Sequence, residues 1–211
     1  MNYENAFGAE FREVHDLTRD GQPVRAVVGA RVYRTDRDDL WNALTDAERL
    51  PRWFLPVTGQ LEAGGRYKIE GNAEGSILKC APPEELKLTW EFGGHVSWVR
   101  VTLAEESAGT RLTLEHSMPK DEKSEAHWAQ FGPGATGVGW DLGFLGLALH
   151  LDSGGGKIDQ DENNAWMTSD AGKAFMRTSA EGWREAHVKA GEDPGVAGEM
   201  AKRTGDFYTG A

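Results

Sequence analysis

The chain has 211 residues, with 23 Lys and Arg against 34 Asp and Glu, for a net charge of −11. That length suits one large domain, or one domain with an extension, and the acidity argues against a nucleic-acid partner, which needs a basic footprint. Cys80 is the single cysteine, so an internal disulfide is excluded and a reducing compartment is expected. Residues 1–11 show neither the basic nor the apolar stretch of a secretory signal, so a cytoplasmic location is expected.

Residues 1–23 are polar and irregular and read as an N-terminal arm or a short lead-in strand. Val24, Ala26, Val28, Ala30 and Val32 then alternate with Arg25 and Arg31, the pattern of a half-buried strand. Thr35 with Asp38 resembles a capping box that opens a helix through Leu40, Trp41 and Leu44. Thr45 with Glu48 is a second box, and Pro51 stops or kinks that second short helix. A run of strands follows. Tyr67 and Ile69 alternate with charged neighbours after the Gly64–Gly65 turn, and another strand spans residues 74–80. Leu86, Leu88, Trp90 and Phe92 share a face, as do Ser97, Val99, Val101 and Leu103, and then Leu112, Leu114 and His116. Short turns between successive strands predict an antiparallel meander. Residues 119–135 form a polar insertion.

Residues 135–151 carry two apolar stripes at helical spacing: Val138, Leu142, Leu145 and Leu149, and displaced from them Trp140, Phe144, Leu147 and Leu151. Such a helix is covered from both sides. Gly139, Gly143 and Gly146 each weaken it by roughly 1 kcal/mol relative to Ala, which points to a close backbone approach or to space left beside the helix. It is too short to span a bilayer. Beyond a Gly-rich break at residues 153–157, Ser169 or Thr168 caps a helix over residues 170–190 with Met176, Ala180, Trp183 and His187 in one stripe. Asp193–Pro194 opens a last helix with Val196, Met200, Thr204 and Phe207. A sheet covers one stripe of the central helix only. The tail is therefore expected to pack on the other stripe or across a cavity mouth, as a brace in preference to a lid, or to form the seam of a homodimer.

Few motifs carry chemistry. Gly132 to Gly137 matches GxGxxG but lacks the preceding parallel strand and the closing acidic residue of a dinucleotide site. Gly154 to Lys157 lacks the spacing of a phosphate loop. The six histidines show no metal-ligand spacing, so neither metal nor cofactor is expected. His15, His95, His127, His150 and His187 read as surface or satisfied core residues. His116 falls on the Leu112/Leu114 face and points inward, to fix a ligand or to bond a buried carbonyl. Trp53, Trp90 and Trp140 hold apolar-face positions, where they form plain core or the wall of a pocket.

The order of strand, two short helices, meander and long apolar helix is the helix-grip arrangement, an α+β fold in which a curved antiparallel sheet wraps a long helix. Asp39-Leu-Trp-Asn-Ala-Leu-Thr-Asp-Ala-Glu48 followed by Trp53-Phe54 resembles the opening motif of the SRPBCC (START-like) superfamily. Gly64-Gly-Arg-Tyr67, Pro82-Pro-Glu-Glu-Leu-Lys-Leu-Thr-Trp90, Gly109-Thr-Arg-Leu-Thr-Leu-Glu-His116 and Gly139-Trp140 are similar to the later signatures of its branch named for the activator of the ninety-kilodalton heat-shock protein's ATPase. The resemblance covers residues 24–151 and leaves residues 1–23 as an arm and 152–211 as a helical extension packing on the domain, similar to extensions on actinobacterial-looking members. The insertion at 119–135 and the tail from 157 depart from the plain domain.

The resemblance implies a deep apolar cavity between sheet and helix. The first functional reading is a binding module that holds a hydrophobic or aromatic small molecule with Trp53, Tyr67, Trp90, Trp140 and Phe144, and His116 as a polar fix. The second is a polyketide-cyclase-like enzyme using His116 as general acid or base, for which the sequence offers no partner. The third, implied by the branch name alone, is activation of a chaperone ATPase.

Overall fold

The computed structural model describes Tyr3 and residues 7–211; the rest of the expected arm, at residues 1, 2 and 4–6, lies outside the described residues. Eight strands form one antiparallel sheet: β1 (Phe11–Arg19), β2 (Gln22–Tyr33), β3 (Val57–Gly59), β4 (Arg66–Ile69), β5 (Glu74–Ala81), β6 (Glu85–Phe92), β7 (His95–Glu106) and β8 (Gly109–Pro119). Their spatial order is β1-β2-β8-β7-β6-β5-β4-β3, so β3 to β8 run as a meander and β2 closes on β8. Among the described residues six α-helices accompany the sheet: α1 (Arg37–Thr45), α2 (Glu122–Phe131), α3 (Gly134–Asp152), α4 (Gln160–Thr168), α5 (Asp170–Lys189) and α6 (Pro194–Thr209). No helix among the described residues is long and apolar enough to cross a membrane.

The arm expected at the N-terminus is a strand from Phe11 onward. β1 pairs with β2 along its whole length, Phe11 opposite Ala30 and Arg19 opposite Gln22. Asp20 and Gly21, both at positive φ, make the two-residue turn, a pairing that Asp-Gly favours because its twist matches that of the strands.

β2 departs from the half-buried reading. Val27 lies opposite His116 and Gly29 opposite Leu114, so the odd-numbered residues, Arg25 and Arg31 included, face α3. Gly29 must be there, because a Cβ would come within 2.8 Å of the Phe144 ring. The arginines are tolerated inside by specific partners. Arg25 lies over the Trp128 ring at 4.3 Å and pairs with Glu125 at 2.9 Å, both on α2. Arg31 stacks on Phe7 and Tyr33 and donates to the Phe7 carbonyl. The small alternating residues Val24 to Ala30 are buried on the other face.

Caps differ from the sequence reading in detail. Asp36, not Thr35, caps α1 by accepting from the Asp39 amide, while the Thr35 hydroxyl donates to the Asp39 carboxylate. The second short helix reduces to a 3-10 turn, Leu50–Arg52, whose approach is held by the Asp46 carboxylate on the Glu48 and Arg49 amides. The polar insertion is α2, capped by Asp121. Helix α4, capped by Asp159, lies in the stretch between the Gly-rich break and α5 and has no buried residue to give it a stripe.

α3 divides the interior. Trp140, Phe144, Leu147 and Leu151 join the sheet and α1 in one cluster. Val138, Leu142, Leu145 and Leu149 join Met176, Ala180 and Trp183 of α5 and Val14 and Val27 of the sheet in another. Each large anchor buried there contributes roughly 1.5–3 kcal/mol. At the C-terminal end of α3, His150 accepts from Arg49 Nε at 2.9 Å, which leaves its Nδ1–H to donate to the Gly156 carbonyl at 2.8 Å.

The helix glycines separate into the two reasons anticipated for them. Gly146 sits against the Trp53 carbonyl, 2.9 Å from where a Cβ would be, whereas a Cβ at Gly143 meets only the Trp140 ring, at 4.0 Å. Gly137 is tightest, since a Cβ there lies 2.1 Å from the buried Trp183 indole. Gly137→Ala should therefore destabilise by about 1–3 kcal/mol through overpacking, while Gly143→Ala should stabilise by up to about 1 kcal/mol through helix propensity. Urea unfolding of the two variants checks the opposite signs; a stabilised Gly137→Ala contradicts the close α3–α5 contact.

Candidate ligand-binding site

Between the concave face of the sheet and α3 lies a cavity of about 160 Å³. β6, β7 and β8 supply Leu88, Val99, Val101, Leu112 and Leu114 from their inward phase. β4 and β5 supply Tyr67, Ile69, Ile77 and Cys80, and α3 supplies Trp140, Gly143, Phe144 and Leu147. Ile77 and Cys80 both reach it although three positions apart. The bulge between Ile77 and Lys79 resets the alternation, so that Ile77 lies opposite Leu88 and Cys80 opposite Leu86. The loop after α1 closes the near side with Leu50, Trp53, Phe54 and Val57.

The polar atoms of this lining face their own protein. Tyr67 donates to the Thr89 carbonyl at 2.6 Å, and burial pushes its pKa upward. Trp53 Nε1 donates to the Ala43 carbonyl at 3.0 Å, Thr45 to the Trp41 carbonyl at 2.8 Å, and Trp140 Nε1 to His116 at 3.1 Å. The Trp90 indole N–H is the one side-chain nitrogen or oxygen donor of the lining without a partner among the described residues.

Of the six residues singled out from the sequence, Trp53, Tyr67, Trp90, Trp140 and Phe144 line this cavity, and His116 does not. His116 stands behind Trp90 and Trp140, in ring contact with both, and borders a second, wider cleft. Its hydrogen bonds fix its tautomer. An indole N–H can only donate, so His116 Nδ1 accepts from Trp140 and the proton sits on Nε2. Nε2–H then donates to Ser97 Oγ at 2.8 Å, and the Ser97 hydroxyl in turn donates to the Trp90 carbonyl at 3.1 Å. Both ring nitrogens are thus committed, and burial holds the imidazole pKa down to about 4. Ser97 is the partner that sequence reading did not attach to His116. Ser97 shares a face with Val99 and Val101, His116 with Leu112 and Leu114, and the register across β7 and β8 joins the two. Leu61 and Val57 are not singled out by the sequence, because irregular backbone and a three-residue strand leave no periodic pattern. No group of three His, Cys, Asp or Glu among the described residues is placed to hold a metal.

A histidine titrates near 6.5 when unfolded and at about 4 here, so the unfolded chain binds the extra proton between those values. His116 therefore leaves stability at its full value above pH 6.5 and lowers it as pH falls toward 4, by on the order of 3 kcal/mol at the lower end. The difference in urea stability between wild type and His116→Gln, taken across that window, isolates it from the other histidines. Parallel pH profiles for the two proteins would contradict a neutral, doubly bonded imidazole.

Residues 34–144, more than half of the chain, match the family described as activator of Hsp90 ATPase homolog 1-like protein. Among solved structures, CalU16 from Micromonospora echinospora is similar in both its crystal and its solution forms. The crystal structure is 28% identical with a TM-score of 0.66, covering 83% of this chain and 96% of that one. The solution structure is 31% identical with a TM-score of 0.68, covering 87% and 97%. Protein MLL2253 from Mesorhizobium loti is 26% identical with a TM-score of 0.53, covering 61% of this chain and 98% of its own. No curated protein matches the chain. The eight-stranded antiparallel sheet closed around α3 is the helix-grip fold, and the chain belongs to the activator-of-Hsp90-ATPase-homolog-1-like family of the SRPBCC superfamily.

Proposed function

We propose that the protein is a binding module for a small apolar or aromatic molecule, held between the sheet and α3 and released unchanged. The observation that carries this reading is the apolar cavity whose polar side chains, Trp90 apart, are already hydrogen-bonded within the protein. A volume of about 160 Å³ resembles that of apolar cavities that stay dry and accept a benzene-sized guest. With Gly at position 143 the helix leaves this space open instead of filling it. His116 offers no support for a cyclase-like reaction in this cavity: a general base needs a free lone pair in reach of substrate, and both its nitrogens are engaged behind the tryptophan wall. Activation of a chaperone ATPase is carried by the family description alone.

Gly143→Leu tests the cavity without removing any contact. The added side chain enters open space next to Trp140, and Leu is favoured over Gly in a helix by about 0.8–1 kcal/mol. The variant should keep or raise its unfolding midpoint and lose saturable binding of an uncharged naphthylamine fluorophore, together with any small molecule that native mass spectrometry finds on the wild-type protein purified from its own host. A stable variant that binds the fluorophore as well as wild type would remove the ligand from this cavity.

A further inference from the structure

The far side of the Trp90–His116–Trp140 wall borders a cleft of about 860 Å³, bounded by the β6–β7 turn, α2 and the start of α3. Its size falls in the range of small-molecule sites and exceeds that of the inner cavity. Its back wall is the pair of indoles, which meet edge to face at 5.2 Å. Phe92 and Val96, 58% and 47% exposed, form an apolar lip. The ionisable side chains on the lining are Lys123, the histidines His95, His116 and His127, and Tyr208, whose hydroxyl donates to the Ala135 carbonyl, with no Asp or Glu among them. In a chain with 34 acidic residues that is a local inversion of the surface charge. Asp121 interacts electrostatically with His95, but its carboxylate is engaged in capping α2 and lies outside the lining. Lys123 reaches only the Gly93 carbonyl, at 3.5 Å, and has no ion pair among the described residues. An ammonium without a counter-ion at the edge of a low-dielectric, aromatic concavity attracts an anion. Imidazole N–H groups at His95 and His127 add further donors.

We propose that this cleft binds an aromatic compound bearing an acidic group, with its rings against Trp90 and Trp140 and its charge beside Lys123, His95 and His127. The shared chemistry is a carboxylate, sulfonate or phenolate on a multi-ring scaffold. The proposal rests on the preceding reading in one respect, that the Trp90–Trp140 wall is a surface ligands touch. It differs in placing the larger, charged part of the ligand outside the inner cavity.

Two fluorophores with one ring system test it: anilinonaphthalene sulfonate and its uncharged parent, phenyl-naphthylamine, titrated into the full chain. The sulfonate should bind roughly tenfold more tightly at low ionic strength, with the advantage shrinking as salt is added. Lys123→Glu, at an exposed position with no side-chain partner to lose, should weaken the sulfonate by roughly fivefold and leave the neutral probe within about twofold. Equal affinity of the two probes for wild type, or equal weakening of both by Lys123→Glu, would overturn the anion site and leave the cavity reading standing. A sulfonate that binds in a Lys123-dependent way, with no binding of the neutral probe, would support the cleft and count against the inner cavity. No saturable binding of either would overturn both.

Discussion

The placement of α3 depends on one buried carboxylate. Asp141 is fully buried on a helix otherwise covered by apolar side chains, a position that costs several kcal/mol unless every oxygen is satisfied. It accepts from the Ala9 amide at 2.7 Å, from Arg12 Nε and Nη2 at 3.1 and 2.9 Å, from Trp183 Nε1 at 3.1 Å, and from the Ser179 hydroxyl. Those donors come from the segment leading into β1, from β1 itself and from α5. One side chain therefore joins the sheet edge, the central helix and the C-terminal extension. Gly8 is required beside it, because a Cβ would fall 2.4 Å from the carboxylate. Removing one partner of such a cluster costs about 3–5 kcal/mol, far more than intact pairs contribute in net terms, so its effect is to select one arrangement of the three elements.

With α3 clamped from the α5 side, its other stripe is free to stand off from the sheet. A helix held only by the sheet would be drawn onto it by the apolar area between them. Here Val138 and Leu145 are buried against Met176, Ala180 and Trp183 instead, and the Trp140/Phe144 side can border a void. Tyr33 sets the separation from the sheet by donating to the Phe144 carbonyl at 3.0 Å. The similarity to CalU16 covers more of the chain than residues 1–151 contain, whereas the match to the Mesorhizobium loti protein does not. At least part of residues 152–211 therefore falls within the similarity to CalU16.

The sequence made legible whatever was periodic. The inward phases of β6, β7 and β8, both stripes of α3 and the cap of α5 at Ser169 follow from alternation, helical spacing and capping chemistry. β2 shows where that reasoning fails. Its apolar residues are small and alternate cleanly, yet Arg25 and Arg31 take the inner face. The partners that make an inward arginine tolerable, Trp128, Glu125 and Phe7, lie far away in sequence and leave no mark on the strand itself. β1 is read only as an arm or a short lead-in strand for a different reason: its Asp20-Gly21 turn is a strong local signal, but both faces of the strand carry charged residues, Glu13 on one and Arg12, which serves Asp141 of α3, on the other. At the candidate site the aromatic lining could be read from phase. The separation of His116 from the cavity could not, since it depends on how two indoles stack in front of it.

That stacking explains why a polar chain sits in so apolar a place. Trp140 and Trp90 each border both the inner cavity and the outer cleft, so their ring orientations set the shape of each. Apolar packing alone would hold two indoles in several orientations of similar energy, because dispersion is non-directional. The chain from Trp140 N–H through His116 and Ser97 to the Trp90 carbonyl replaces that freedom at the Trp140 indole with a directional bond anchored on the Trp90 backbone, and each member of the chain is satisfied, the condition under which a buried network specifies one geometry. Its net contribution to stability is of the order of 1 kcal/mol per bond. Reversing the His116 tautomer would set two donors against each other at Trp140, so the wall and the neutral histidine stand or fall together. A side chain that looks like a general base in the sequence is, in this setting, the acceptor that holds the Trp140 indole in its edge contact with Trp90.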